Sequence, residues 1–204
     1  NAIFLLNIPP NRSGRFSEPD VEVLKETGQR IRATYGVNLL QGATGPKELL
    51  DADTQTSYLL QSAPAELLIQ LEQPQTLNRV VLQEAISTHG ERVEKHAVDA
   101  WVDGAWQELA QATNIGYKRI LRFPEVETSQ LRIRVLETRA PAALCQVSAH
   151  YYKAYPPQLS YKRSVEGLVS LQARESDFSW NAHGEQSTQN LSGNFSIHYT
   201  TDCS

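Results

Sequence analysis

Methionine is absent from all 204 residues, and only two cysteines occur, Cys145 and Cys203. The lack of even an initiator methionine predicts a fragment or a processed product. Two cysteines exclude the disulfide frameworks that staple small secreted domains. Cys145, in Ala142-Ala143-Leu144-Cys145, reads as a buried, inert thiol. No apolar run approaches the ~18 residues of a membrane span. Residues 1–6 are apolar but lack a basic leader and give way to Pro9-Pro10, so they do not read as a complete signal peptide. A formal net charge of −4 offers no general attraction for nucleic acid or anionic membrane. Short chemical motifs are equally sparse. The five histidines form no HExxH and no close pair at ligand spacing. Gly42-Ala43-Thr44-Gly45-Pro46-Lys47 has the wrong spacing for a phosphate loop, and its proline removes a needed N–H. The sequons at Asn11, Asn190 and Asn194 matter only in a eukaryotic secretory host.

What is present is β-pattern. Val98-Asp99-Ala100-Trp101-Val102-Asp103-Gly104-Ala105-Trp106-Gln107-Glu108-Leu109 places Asp-Gly between two strand-like runs. That dipeptide suits a type I′ hairpin turn, in which both central residues need φ > 0. Leu131, Ile133 and Val135 alternate with Arg132 and Arg134, predicting a strand with one face buried and one in water. Glu66–Leu71 and Leu77–Glu84 read as strands with Pro74 at the turn between them, and Ser87–Gly90 reads as a polar break. Cys145–Tyr152 reads as a closing strand. Short strands with no helices between them predict an antiparallel β-sandwich over 35–155.

The flanks differ. Ala2–Leu6 reads as a buried strand, ended by the loop 7–14. Ser17-Glu18-Pro19-Asp20 has the cap, first-turn proline and capping-box acid of a helix start. Val21, Leu24, Gly28 and Ile31 then share one side, and Tyr35-Gly36 suggests the stop. A strand and a helix cannot bury their own apolar faces, so their cover is expected outside this chain. Lys153–Pro157 reads as a linker. Val165, Leu168, Val169, Leu171, Phe178 and Trp180, with the alternating strand Phe195–Tyr199, suggest a further small β-domain.

The stretch LNRVVLQEAISTHGERVEKHAVDAWVDGAWQELAQATNIGYKRILRF resembles the discoidin-type sandwich, also called coagulation factor 5/8 type C or carbohydrate-binding module family 32. The resemblance is to the copy appended to bacterial α-L-fucosidases of glycoside hydrolase family 29. LLNIPPNRSGRFSEPDVEVLKETGQRIRATYG resembles the last strand-loop-helix unit of their catalytic (β/α) barrel, and FSIHYTTDCS resembles a hairpin of chitobiase-type C-terminal domains. These resemblances imply a mainly β chain: a barrel remnant over 1–34, a galactose-binding-like antiparallel β-sandwich (jelly roll) over 35–155, and a linker with an incomplete β-domain over 156–204. They also imply a parent that hydrolyses terminal α-L-fucose with retention, in the bacterial periplasm or outside the cell. Its partners would be the catalytic barrel of the same protein and fucosylated or galactose-type glycans. The alternative is a stand-alone carbohydrate-binding or adhesion module.

A retaining glycosidase needs two carboxyls about 5–5.5 Å apart. The acids on predicted strands, such as Asp99 and Glu108, alternate with apolar residues and are expected to face water. No position matches the family's catalytic motifs, so no catalytic residue is assigned and the chain alone is expected to be inactive. No cofactor is required, but the resemblance implies a structural calcium at Asp51-Ala52-Asp53-Thr54-Gln55-Thr56-Ser57-Tyr58, with Asp51, Asp53 and Thr56 as ligands. Gln146 stands where the family commonly supplies a glutamate, and an Asp/Thr-rich turn held by its own hydrogen bonds is the other reading. Sugar binding needs an aromatic platform beside polar groups. The loop candidates are Tyr58, His89, Arg92, Tyr117, Lys118 and Arg119; the loops 88–92 and 116–119 read equally well as docking contacts with the barrel, and docking is the preferred reading of them. Trp101 and Trp106 are expected to pack into the sheet.

Overall fold

The computed structural model describes residues 5–153, with the backbone of 158–163, 169–174, 179–180 and 186–187. Contacts divide the chain into two units, Asn1–Lys153 and Ala154–Ser204.

In the first unit, helix α1 (Glu18–Tyr35) forms where its caps predict. The Ser17 hydroxyl accepts the Asp20 N–H and donates to the Asp20 carboxylate, at 3.4 and 2.6 Å, closing the first turn. At the other end the Gly36 N–H bonds the Arg32 carbonyl. Coverage of the helix is poor: Val21 and Leu24 are half-buried, whereas Val23 and Ile31 are 63% and 55% exposed. Of the expected strand at 2–6, residues 2–4 lie outside the described residues; Leu5 and Leu6 are exposed and in no strand.

The rest of this unit is antiparallel β. Strands β1 (Tyr58–Leu60), β2 (Ala65–Glu84), β3 (Val93–Val102), β4 (Ala105–Ala112), β5 (Arg119–Thr138) and β6 (Ala142–His150) hydrogen-bond in the order β1-β6-β2-β5-β3-β4. Short helices α2 (Lys47–Leu50) and α3 (Ile86–His89) interrupt the loops, so the break read at 87–90 is a helical turn. β2 and β5 have 20 residues each. Fully extended they would span roughly 66 Å at ~3.3 Å per residue, far more than a domain of this size, so they must bend. They bend together at a register shift between Gln70 and Gln75. Pro74 lies in that shift rather than between two strands, because an irregularity tolerates its missing N–H.

The bend makes two layers from one sheet. Residues 65–70 of β2 and 130–138 of β5 lie with β3 and β4; residues 79–84 of β2 and 119–122 of β5 lie with β6 and β1. Leu67, Ile69, Val98, Leu131 and Ile133 from one layer and Val80, Leu82, Leu121, Leu144 and Val147 from the other belong to one buried cluster. Burying each such side chain contributes roughly 1.5–3 kcal/mol. The β3–β4 turn has Asp103 at φ 50° and Gly104 at φ 81°, the two left-handed residues the dipeptide predicts.

α1 is tied to the end of β6. His150 packs edge-on against Tyr35 at 5.2 Å, its Nδ1–H donates to the Val37 carbonyl (2.7 Å), and its Nε2 accepts from the Ser148 hydroxyl (2.9 Å). Burial pushes the His150 pKa down, which keeps the ring neutral in this role. The Leu39 N–H bonds the Ala149 carbonyl, and the Asn38 side chain accepts the Ala149 and Leu40 N–H groups.

In the second unit β7 (Gln158–Arg163) pairs with β8 (Val169–Arg174), and β9 (Ser179–Trp180) pairs with β10 (Gln186–Ser187), all antiparallel. Val169, Leu171 and Trp180 fall in these strands. Val165, Leu168, Phe178, Phe195–Tyr199 and Cys203 lie outside the described residues.

Candidate functional site

The loop end of the sandwich is organised by a residue the sequence pattern did not single out. Glu84, the last residue of β2, is 3% exposed. Its Oε1 accepts the Arg92 and Val93 N–H groups at 2.8 and 2.9 Å, and its Oε2 accepts the Gly116 N–H at 2.7 Å. The Glu84 N–H returns a bond to the Gly116 carbonyl, and Gln83 Nε2 donates to the Tyr117 carbonyl. One buried carboxylate thus clasps the 86–93 loop to the 114–119 loop. The signal that marks it is a lone acid ending the run Val80-Val81-Leu82-Gln83-Glu84-Ala85, since a buried charge must be hydrogen-bonded.

Five of the six predicted sugar-contact residues sit on those two loops. His89 ends α3 and is held by the Thr88 hydroxyl at Nδ1. The Arg92 guanidinium donates to the Pro141 carbonyl at 2.6 Å, which bridges to the β5–β6 loop. Tyr117 is 72% exposed and Lys118 is exposed, while Arg119 begins β5 opposite Leu82. Tyr58 stands apart. It pairs with Leu144 two strands from Glu84, is half-buried and packs against the core. The loop end therefore brings together an exposed aromatic ring, a histidine and cationic side chains around a fixed backbone.

The α1 junction is at Arg79 and His150, and the clasp is at Glu84, five residues along β2, or roughly 17 Å at ~3.4 Å per residue. A groove of about 790 Å³ opens at the α1 side, between the β3–β4 hairpin and Phe123–Ser129.

The predicted calcium loop is a knot of oxygens around Thr56. The Thr56 hydroxyl lies 2.8 Å from Asp51 Oδ2, 2.9 Å from the Asp53 carbonyl and 3.4 Å from the Glu48 carbonyl. Asp51 Oδ1 accepts the Asp53 N–H and Asp53 Oδ1 accepts the Gln55 N–H. These bonds hold the Asp51 carboxyl below its usual range, the Asp53 N–H contributing most. Oxygen donors of this kind fit a hard cation, but only one of the four is a carboxylate. Asp53 turns its carboxylate onto the loop and offers its carbonyl. Among the described residues no group of three His, Cys, Asp or Glu side chains could hold a metal.

Of the two strand acids expected to face water, Glu108 is exposed and Asp99 is not. Asp99 is 1% exposed on the outer face of the sheet, not in water. Arg132 and Arg134, on the neighbouring strand, converge on it with Nε at 2.7 Å each. Arg134 also pairs with the exposed Glu108, and its pKa is raised chiefly by Asp99. Arg132 lies over the Trp106 ring at 4.7 Å, and Trp106 meets Trp101 edge-on at 5.3 Å. The two indoles therefore pack on each other outside the sheet, with Trp101 36% exposed. Cys145 is buried as expected, and burial raises its thiol pKa.

Comparison with known proteins adds identity to this geometry. A provisionally named alpha-L-fucosidase 1 of Oryza sativa subsp. japonica is 33% identical over 157 residues, covering 69% of this chain and 30% of that protein. The alpha-L-fucosidase 1 of Arabidopsis thaliana is 29% identical over 157 residues, 68% of this chain and 31% of that protein. The chain thus spans about a third of the length of these relatives. Among solved structures, SpGH29 superposes with a TM-score of 0.68 at 31% identity, covering 73% of this chain and 35% of that one. The family 32 module of C. perfringens NanJ, solved with galactose, shares the fold at 11% identity (TM-score 0.50), covering 55% of this chain and 96% of that one. Residues 33–147 match the F5/8 type C domain, and over this region the curated relatives are α-L-fucosidases: the chain belongs to the F5/8 type C domain family.

Proposed function

We propose that this chain is the accessory C-terminal portion of an α-L-fucosidase, in which the sandwich binds glycan through its clasped loop end. The observation that carries this reading is the extent of the fucosidase similarity. It takes in 69% of the chain, more than the sandwich match at 33–147. The exposed apolar residues of α1 agree with a helix that belongs against a further body of protein, the catalytic barrel. The parent hydrolyses terminal α-linked fucose with retention, through a covalent glycosyl-enzyme, and carries its reactive carboxylates upstream of this segment. It acts in the periplasm or outside the cell.

Two placements favour sugar binding over barrel docking for the loops at 86–93 and 114–119. The Glu84 clasp between them is five residues along β2 from the α1 junction, and Tyr117 is exposed on a backbone that Glu84 holds in place. A pyranose would stack its apolar face on Tyr117 and give its hydroxyls to His89, Arg92 and Lys118. At the other loop, calcium would take Asp51, the Asp53 and Glu48 carbonyls and Thr56 as ligands and would brace the loop before β1. The second reading is a stand-alone carbohydrate-binding module, whose fold the family 32 module of NanJ shares.

The test joins the coding sequence upstream of Asn1 to this segment and assays the product on an aryl α-L-fucoside. Fucose release by the parent, with glycan binding by the 204-residue chain that Tyr117→Ala weakens, is the expected outcome. A folded parent without fucosidase activity overturns the assignment. Glycan binding with an inactive parent selects the stand-alone module.

A further inference from the structure

We propose that the groove beside the β3–β4 hairpin is a second binding site, separate from the loop end, for a saccharide carrying no anionic group. The groove is open and about 790 Å³ in volume, within the range of small-ligand sites. Trp101 and Phe123 are among its lining residues, with Asp103, Glu108, Glu125 and Glu127; no lysine, arginine or histidine lines it.

Trp101 is held in place but not covered. Its indole rests edge-on against Trp106, which Arg132 covers at 4.7 Å, and its carbonyl accepts the Thr128 hydroxyl at 2.8 Å. A fixed and 36% exposed indole beside acceptor groups is costly in water and complementary to a pyranose, whose C–H face is apolar and whose hydroxyls donate. Charge then selects the ligand. Asp103 and Glu127 accept and cannot donate, so sialylated or sulfated sugars meet repulsion there. A strongly cationic partner is the weaker fit, because two of the four acids are already engaged. Glu108 pairs with Arg134 at 2.6 Å, and Glu125 accepts the Tyr151 hydroxyl at 2.9 Å. What remains is a set of oriented acceptors with modest net charge, which suits hydroxyl donors.

The site is tested with the full 204-residue chain on a glycan array carrying neutral, sialylated and sulfated structures, followed by tryptophan-fluorescence titration with the best neutral glycan. Wild type, Trp101→Ala, Glu127→Lys and Tyr117→Ala are compared, with circular dichroism to verify folding. The expected result is neutral-glycan binding that weakens at least tenfold in both W101A and E127K and persists in Y117A. Glu127 is an exposed strand residue, so E127K tests the groove even if W101A fails to fold. Binding unaffected by E127K, a preference for anionic glycans, or capture of a lysine-rich peptide with no neutral glycan bound overturns the proposal. Loss of Y117A binding alone would place all sugar contact at the loop end and overturn it equally.

Discussion

Replacing Glu84 by glutamine tests the idea that one buried carboxylate sets the loop end. Glutamine matches glutamate in shape but brings two donors where Glu84 has only acceptors. Whichever way the amide lies, at least one of the Arg92, Val93 and Gly116 N–H groups then faces an NH₂. The better choice keeps the oxygen on Arg92 and Val93 and abandons Gly116, now bonded at 2.7 Å. Losing one charge-assisted bond in a buried site costs about 1.5–3 kcal/mol, and weakening the other two from charged to neutral adds a further ~1 kcal/mol. The expected total is about 3 kcal/mol. With an m value near 2 kcal/mol/M, the urea midpoint falls by about 1.5 M. Hydrogen exchange on β2 and β6 amides reports the first unit alone, and the Gly116 amide should lose protection ahead of them. Glycan binding at the loop end should weaken as well, because the loops no longer hold one geometry. A midpoint within 0.3 M of wild type, with Gly116 still protected, would refute the reasoning.

Three further perturbations have worked signs. Asp99→Ala leaves Arg132 and Arg134, whose side chains are 20% and 22% exposed, without their shared acceptor. Glu66 and Glu108 remain as partners, so about 2–4 kcal/mol should be lost in urea melts, with Arg132→Ala in the same background adding little. Burial lowers the His96 pKa from 6.5 to about 4, and its Nδ1–H donates to the Thr113 carbonyl at 2.7 Å. The folded state therefore refuses a proton that the unfolded chain accepts, so its stability is intact above pH 6.5 and falls as pH drops toward 4. The loss is about 3 kcal/mol at ~1.4 kcal/mol per pH unit, and thermal melts of His96→Gln should show a shallower decline. If calcium braces the Asp51–Thr56 loop, millimolar calcium should raise the melting temperature of wild type, EDTA should reverse it, and Asp51→Asn should show no response. A wild-type melt indifferent to calcium would identify the loop as a self-bonded turn.

The parts legible in the sequence are those decided by a few neighbouring residues. Ser17, Pro19, Asp20 and Gly36 set the ends of α1 without reference to anything distant. Asp103-Gly104 demands two left-handed residues and so fixes the hairpin and its register, Trp101 opposite Trp106. Alternation at Leu131, Ile133 and Val135 gave the buried face correctly. It misled at Asp99, because periodicity tells which face a residue occupies and not what else stands there. Arg132 and Arg134 reach Asp99 from the adjacent strand and bury it without placing it in the core. The charge pattern held that information, since an acid and two arginines recurring at period two on two strands can pair across them.

Glu84 shows the same limit from the other side. Its clasp uses backbone N–H groups, which every residue but proline carries, so no side-chain motif advertises the partners. What sequence does carry is the anomaly of an acid closing an otherwise buried run, and an anomaly predicts the need for partners without naming them. α1 completes the argument. Its caps are satisfied, its junction with β6 is secured through His150, and yet Val23 and Ile31 remain exposed. Local signals sufficed to form the helix, and packing in this unit did not use the apolar side that would ordinarily justify it. On the proposed reading, the surface that covers the rest of the helix is the catalytic barrel. That is why the fucosidase parent is the experiment on which the functional reading turns.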